Sequence, residues 1–376
     1  MSAPLTVGVP REVKEGEHRV ALTPDGAHEL TAAGAPVLVE AGAGDGSSIS
    51  DDDYRRAGAE VVGSHAEVWE RADLVLKVKE PQASELGLLR PGVVLFTYLH
   101  LAAYPDVATA LLDKQVTGVA YETVQLGTGA LPLLAPMSEV AGRMAPQVGS
   151  HFLERDHGGR GVLLGGAPGV RPARVVVLGA GNVGWNAAWI AQGMEAEVLL
   201  LDKDLDRLRW VDQIHKGRIM TLASNRGAVE RAVADADLVI GAVLVPGGRA
   251  PIVVTETMVK TMKPGAVIVD CAVDQGGCIE TIHETTHSEP VYELHNVLHY
   301  AVGNIPAAVP HTSTYALTNA TLPYAVALAT MGVPDAVAAD EELAVGVNTV
   351  AGNVTNAAVA EALGRAHTPL SDALAA

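Results

Sequence analysis

The chain has 376 residues, 48% of them hydrophobic, which is enough for two domains each with its own core. Lys plus Arg is 26 against 44 Asp plus Glu, a formal charge of −18, and such an acidic surface argues against nucleic acid or anionic lipid as a partner. Two cysteines, Cys271 and Cys278, exclude a disulfide framework and a four-thiolate zinc site, and no metal site is expected.

The N-terminus lacks a basic stretch followed by an apolar core, so no secretory signal is expected, and the reading is a cytoplasmic protein. No uninterrupted apolar run reaches the ~18 residues of a membrane span. Leu322 to Val333 is apolar but short and contains Pro323.

Strand and helix signals alternate from the start. Leu5 to Pro10 reads as a strand, and Thr23-Pro24 opens a helix that Gly34 closes. Apolar runs follow at 37–40, 74–78, 93–99 and 116–120, separated by helix-length segments. That alternation predicts a parallel sheet covered on both faces. From Ser138 to about Asp156 a long helix is expected, with Ser138 placed to cap it. Further strands are expected at 174–178, 198–201, 238–243 and 267–273, and beyond about Pro310 the chain reads as mostly helical. The expected domains are 1–132 joined with 310–376, carrying substrate, and 133–309, binding dinucleotide.

The halves echo each other. Ala72-Asp73-Leu74-Val75 resembles Ala236-Asp237-Leu238-Val239, and Arg90-Pro91-Gly92 resembles Lys263-Pro264-Gly265. The echo predicts two related doubly wound domains. It places His100 and Asp274 at the carboxyl ends of corresponding strands, where open α/β sheets bind ligands. The expected class is therefore α/β, two doubly wound Rossmann-like domains with parallel sheets flanking a cleft.

Gly179-x-Gly181-x-x-Gly184 follows an apolar strand and opens a helix, and Asp202 ends the next strand 18 residues past Gly184. Glycines there let the backbone approach a pyrophosphate at the helix N-terminus, and an acid about 20 residues on accepts from the ribose hydroxyls. Asp202 would repel a 2′-phosphate, so NAD is expected over NADP, although Lys203, Arg207 and Arg209 lie nearby.

The remaining motifs carry a family resemblance. Val7-Gly8-Val9-Pro10-Arg11-Glu12, Glu17-His18-Arg19-Val20-Ala21-Leu22-Thr23-Pro24, Lys77-Val78-Lys79-Glu80-Pro81, Phe96-Thr97-Tyr98-Leu99-His100, Pro136-Met137-Ser138-Glu139 and Asp274-Gln275-Gly276-Gly277 occur in this order. Thr312-Ser313-Thr314-Tyr315-Ala316-Leu317-Thr318-Asn319 closes the set. From about residue 5 to 330 the chain resembles the alanine dehydrogenases and the NAD-binding part of proton-translocating transhydrogenases.

The resemblance implies NAD-dependent, reversible oxidative deamination of L-alanine to pyruvate and ammonium by a homo-hexamer. It implies that Arg19 clamps the substrate carboxylate, as a planar guanidinium can. Without the motif, Arg19 reads as a surface arginine. Lys79 would polarise the substrate oxygen, and Lys77, on the same alternating face, reads as the solvated lysine of the pair. His100 would be the general acid/base, with His18 the next candidate, and Asp274 would assist it. Met137 would line the substrate, while Ser138, Ser224, Asp274 and Asn304 would join Gly179, Gly181, Gly184 and Asp202 around the cofactor. In Val302-Gly303-Asn304-Ile305-Pro306, Gly303 and Ile305 depart from the family's commoner Ala and Met. The alternatives are a transhydrogenase component, a saccharopine-type dehydrogenase and a non-catalytic NAD sensor. Cys271 and Cys278 read as packing residues.

Overall fold

A computed structural model describes residues 3–243 and 250–375. Met1 and Ala376, the ends of the expected domain ranges, lie outside the described residues. The chain forms two units, Met1–Met137 with Val309–Ala376, and Ser138–Ala308. The crossings thus fall at 137/138 and 308/309, against 132/133 and 309/310 in the sequence reading.

In chain order the strands are β1 (Val7–Val9), β2 (Val37–Glu40), β3 (Glu60–Val62), β4 (Leu74–Leu76), β5 (Val94–Thr97) and β6 (Thr117–Ala120). The second unit supplies β7 (Arg174–Leu178), β8 (Glu197–Asp202), β9 (Met220–Ala223), β10 (Leu238–Gly241), β11 (Val267–Asp270), β12 (Val291–Leu294) and β13 (Val297–Tyr300). β14 (Val347–Val350) and β15 (Asn353–Val354) come last and return to the first unit.

The sheet of the first unit has the order β15-β14-β6-β5-β4-β1-β2-β3, and that of the second β12-β13-β11-β10-β7-β8-β9. In each, the first strand is central, flanked by the second and the fourth, with the fifth beyond. Pairing is parallel from β3 to β6 and from β9 to β13. The outer pairs β6–β14, β14–β15 and β12–β13 are antiparallel. Short apolar strands such as Val94–Thr97 and Leu238–Gly241 are buried at every position, because helices cover both faces. Leu95 and Leu111 in one core, and Val239 and Ile268 in the other, are fully buried. Each such side chain contributes about 1.5–3 kcal/mol.

The echo falls on equivalent strands. Asp73 precedes β4 and Asp237 precedes β10. Asp73 Oδ2 accepts the Thr6 N–H at 3.0 Å, and Asp237 Oδ2 accepts the Arg174 N–H at 2.8 Å. Their own N–H groups return to Thr6 O and Arg174 O, and their carbonyls receive Val94 N–H and Val267 N–H. The basic residue of each Arg/Lys-Pro-Gly turn approaches the same carboxylate: Arg90 Nη2 lies 3.9 Å from Asp73, Lys263 Nζ 3.0 Å from Asp237.

One expectation needs correction. The long helix runs Ala135–Phe152, so Ser138 sits inside its first turn and does not cap it. Pro136 is tolerated so early because first-turn N–H groups have no helical partner. Beyond Pro310 the chain is mostly helical, as expected, with two short strands, β14 and β15, added. β14 extends the sheet beyond β6, with Thr349 Oγ1 accepting from Gly118 N–H and donating to Val116 O, both at 3.0 Å. The helix Pro310–Ala339 is long and apolar enough, by length and composition, to cross a bilayer, although no uninterrupted apolar run in it reaches that length. It is broken at Gly332 (φ 75), and buries Ser313, Thr314 and Thr318 along with Leu317 and Leu328.

Candidate active site and dinucleotide-binding loop

β7 runs into the glycine loop, and the helix Asn182–Gly193 starts directly after it with no side-chain cap. Gly179 takes φ 100, and a Cβ there would stand 2.6 Å from Ala242 O. At Gly184 a Cβ would stand 1.7 Å from Gly179 O. Any side chain at either position would wreck the turn. At Gly181 the nearest neighbour is Arg207 Nη1 at 3.6 Å, so this glycine leaves space beside the helix N-terminus. Asp202, half-buried at the end of β8, accepts the Ala180 N–H at 2.5 Å and the Asp204 N–H at 2.8 Å. Its carboxylate is thereby fixed against the loop. Ser224 N–H donates to Asp202 O at 2.8 Å, which puts Ser224 at the next strand end. Arg207 pairs with Asp204, and Arg209 with Asp206. The uncapped helix start, the space at Gly181 and the placed carboxylate fit a dinucleotide.

The loop is braced from behind. Gly142 of the long helix lies where a Cβ would meet Val183 O at 2.2 Å, and Arg143 Nε donates to Asn186 Oδ1 at 3.0 Å. Ser138, on the same helix, is half-buried. Asp274 is exposed in a single 3-10 turn, Val273–Gln275, four residues beyond β11. Asn304 takes the left-handed conformation (φ 60). The departure at Gly303 has a companion: a Cβ there would stand 2.1 Å from Glu284 Oε1 and 3.0 Å from Asp274 Oδ1. Glu284 fills the space that a side chain at 303 would take.

In the first unit Arg19 is buried, not at the surface, with 2% of its area exposed. Glu17 spans its Nε–Nη2 edge at 2.7 and 2.6 Å, and Nη1 lies 3.0 Å from Met137 Sδ. Burial alone would lower the Arg19 pKa, but Glu17 outweighs it and holds the guanidinium above its usual range. A cavity of ≈ 490 Å³ opens here, lined by Arg19 and Glu17 but not by Lys79, His100 or Met137. His18 is exposed and turns only its carbonyl inward, to Ser47 Oγ.

His100 lies three residues past β5 with φ 45, a conformation that costs a non-glycine residue energy. Glu122 holds it there by accepting the N–H groups of His100 (2.6 Å) and Leu99 (3.2 Å). The ring stacks on Tyr98 at 5.7 Å, with Nδ1 3.8 Å from Glu122. Lys79 is half-buried, and its carbonyl accepts from Thr97 Oγ1.

Lys77 contradicts the sequence reading: it is wholly buried. Two carboxylates, Glu12 at 3.0 Å and Glu85 at 2.9 Å, neutralise it there. Sequence reasoning missed Glu17 and Glu122 as well. Glu17 carried a signal, two residues before an arginine in the same motif. Glu122 carried another, an acid just past the strand beside β5.

These two sheets, with the glycine loop and the acid at the end of β8, define a nucleotide-binding protein of the Rossmann class. Residues 8–141 match the family "Alanine dehydrogenase/PNT, N-terminal domain", and residues 145–357 its C-terminal domain. The alanine dehydrogenase of Methanococcus maripaludis is 53% identical over 98% of this chain and 100% of its own. A solved L-alanine dehydrogenase superposes with a TM-score of 0.93 at 49% identity, covering 96% of this chain and 99% of that one. A transhydrogenase from Sinorhizobium meliloti gives 0.81 at 27% identity, over 94% and 99%. The chain belongs to the alanine dehydrogenase/PNT family. Within it the chain stands on the alanine dehydrogenase side, among oxidoreductases that act on a CH–NH2 donor and use a nicotinamide cofactor.

Proposed function

We propose that the chain oxidises L-alanine with NAD and water to pyruvate, ammonium and NADH, reversibly. The observation that carries this reading is Arg19, a buried guanidinium held in plane by Glu17. That is the group a small amino acid's carboxylate needs, and an exposed lysine could not replace it. Gly179, Gly181, Gly184, Asp202 and Ser224 would hold the adenosine and pyrophosphate half of NAD, and Ser138, Asp274 and Asn304 the nicotinamide half. Bound nicotinamide supplies the hydride acceptor.

The residues of this chain do the rest. Arg19 and Met137 fix the substrate carboxylate and methyl end. Lys79 binds the substrate oxygen and polarises it. His100 moves protons as water adds to the imine and ammonia leaves, with Asp274 assisting. A positioned acid/base of this kind gives about 10²–10⁴-fold. NAD is favoured over NADP because Asp202 would face a 2′-phosphate. The enzyme is proposed to work in the cytoplasm as a homo-hexamer, so its solution mass should be six times 38.9 kDa.

The test mixes protein with NADH, ammonium and pyruvate and follows absorbance. Ammonium-dependent NADH loss, slower with larger oxo acids, is expected. NADH binding without turnover would overturn the assignment.

A further inference from the structure

His151 stands at the end of the helix Ala135–Phe152, and Glu154 and His157 follow in the turn after it. One ligand atom from each lies within 4.8 Å of the others, the one such grouping among the described residues. The imidazole centroids are 3.8 Å apart, and His157 Nε2 is 3.7 Å from Glu154 Oε2. The His151 ring contacts the rings of Phe152 and His157.

The backbone beneath them is fixed. Glu154 N–H donates to His151 O at 3.2 Å, and His157 and Gly159 N–H both donate to Glu154 O, at 3.2 and 3.0 Å. Gly161 N–H closes on Leu153 O at 2.8 Å, and the Leu153 side chain is fully buried. Gly159 packs so tightly that a Cβ would stand 2.2 Å from Phe152 O. Three side chains of metal-binding type therefore project from one rigid turn, unused by the catalytic reading.

The geometry points to a binding site here for one divalent transition-metal ion of zinc type. The two imidazoles and one carboxylate match the ligands such an ion takes, whereas magnesium and calcium prefer oxygen alone. Tetrahedral coordination at 2.0–2.1 Å sets ligand atoms about 3.3 Å apart. All three side chains are exposed, so small rotamer changes bring them from the present spacing to that one. Water completes the coordination. The cysteine count that excluded a thiolate site does not bear on this one. The ion would clasp the helix end to the turn, and binding the folded state alone would stabilise it.

The test uses the full-length protein after chelator treatment, titrated calorimetrically with Zn²⁺ and separately with Co²⁺ while recording visible absorption. Wild type should bind one equivalent more Zn²⁺ than H151Q/H157Q and show Co²⁺ ligand-field bands that the variant lacks. Zn²⁺ should also raise the melting temperature of wild type more than that of the variant. The same stoichiometry and the same spectrum in both proteins would overturn the site. Should the double variant fail to fold, H157Q or E154Q alone reads the same loss.

Discussion

Lys77 Nζ lies 3.0 Å from Glu12 Oε2, and both side chains are closed off from solvent. The other Glu12 oxygen accepts the Val78 N–H at 2.6 Å, and Glu85 Oε1 stands 2.9 Å from the ammonium. Burial would lower the Lys77 pKa, but Glu12 and Glu85 outweigh it and hold the ammonium above its ordinary range. Removing the cation leaves two buried carboxylates without it. Lys77→Met should therefore destabilise the first unit by about 3–5 kcal/mol, read by denaturant unfolding. An unchanged midpoint would show that the pair contributes nothing.

His65 extends this network. Its Nδ1 is 2.7 Å from Glu40 and its Nε2 3.2 Å from Glu85, and these bonds push its pKa up to about 9. Trp69 Nε1–H lies 3.1 Å from the same Nε2, a bond open only to the neutral ring. Because the folded pKa is raised, the stability His65 supplies is complete below pH 6.5 and is lost as pH rises through 9. The stability advantage of wild type over H65Q in thermal unfolding should be full below pH 6.5 and shrink as pH rises to 9. Parallel curves would remove the charged histidine from the account.

The second unit has the opposite dependence at His299, which is fully buried on β13. Its Nδ1–H donates to Val297 O at 3.0 Å, so Nε2 accepts from Thr281 Oγ1 at 2.9 Å. Burial depresses its pKa to about 4. The unfolded chain takes up this proton first, so stability is present above pH 6.5 and falls as pH drops toward 4. H299Q should flatten the acid limb of the stability curve; an acid limb identical to wild type would contradict this.

Asp202→Ala tests the proposed ribose contact. A hydrogen bond to a charged group contributes about 1.5–3 kcal/mol, or roughly 10–100-fold. The NAD-over-NADP ratio of kcat/KM should fall by that factor. Equal ratios in variant and wild type would place the ribose elsewhere.

His100→Ala should lower pyruvate amination about 10²–10⁴-fold while NADH still binds. Normal turnover in this variant would end the acid/base assignment.

The strands most legible from sequence were those buried on both faces, where apolar runs such as Val175–Leu178 leave no other reading. β3 and β9 were missed because they lie at sheet edges, where Glu60, Met220 and Leu222 are exposed and no apolar run forms. β14 was missed because its polar residues depend on partners more than 200 residues away: Thr349 bonds to Gly118 and Val116. The glycine loop was legible because its geometry is local. The burial of Lys77 was not, since Glu12 lies 65 residues away and only folding joins them.

β6 receives its antiparallel neighbour from beyond the whole second unit. At 5–20 residues per second, synthesis from Ala120 to Val347 takes roughly 10–45 s. During that interval the first sheet is two strands short, lacking β14 and β15, and the rim of β6 is open to other chains. Ser138–Ala308 is contiguous and can complete its fold first. The protein that starts folding at its N-terminus thus finishes there last, and shielding of nascent chains matters most while β6 waits.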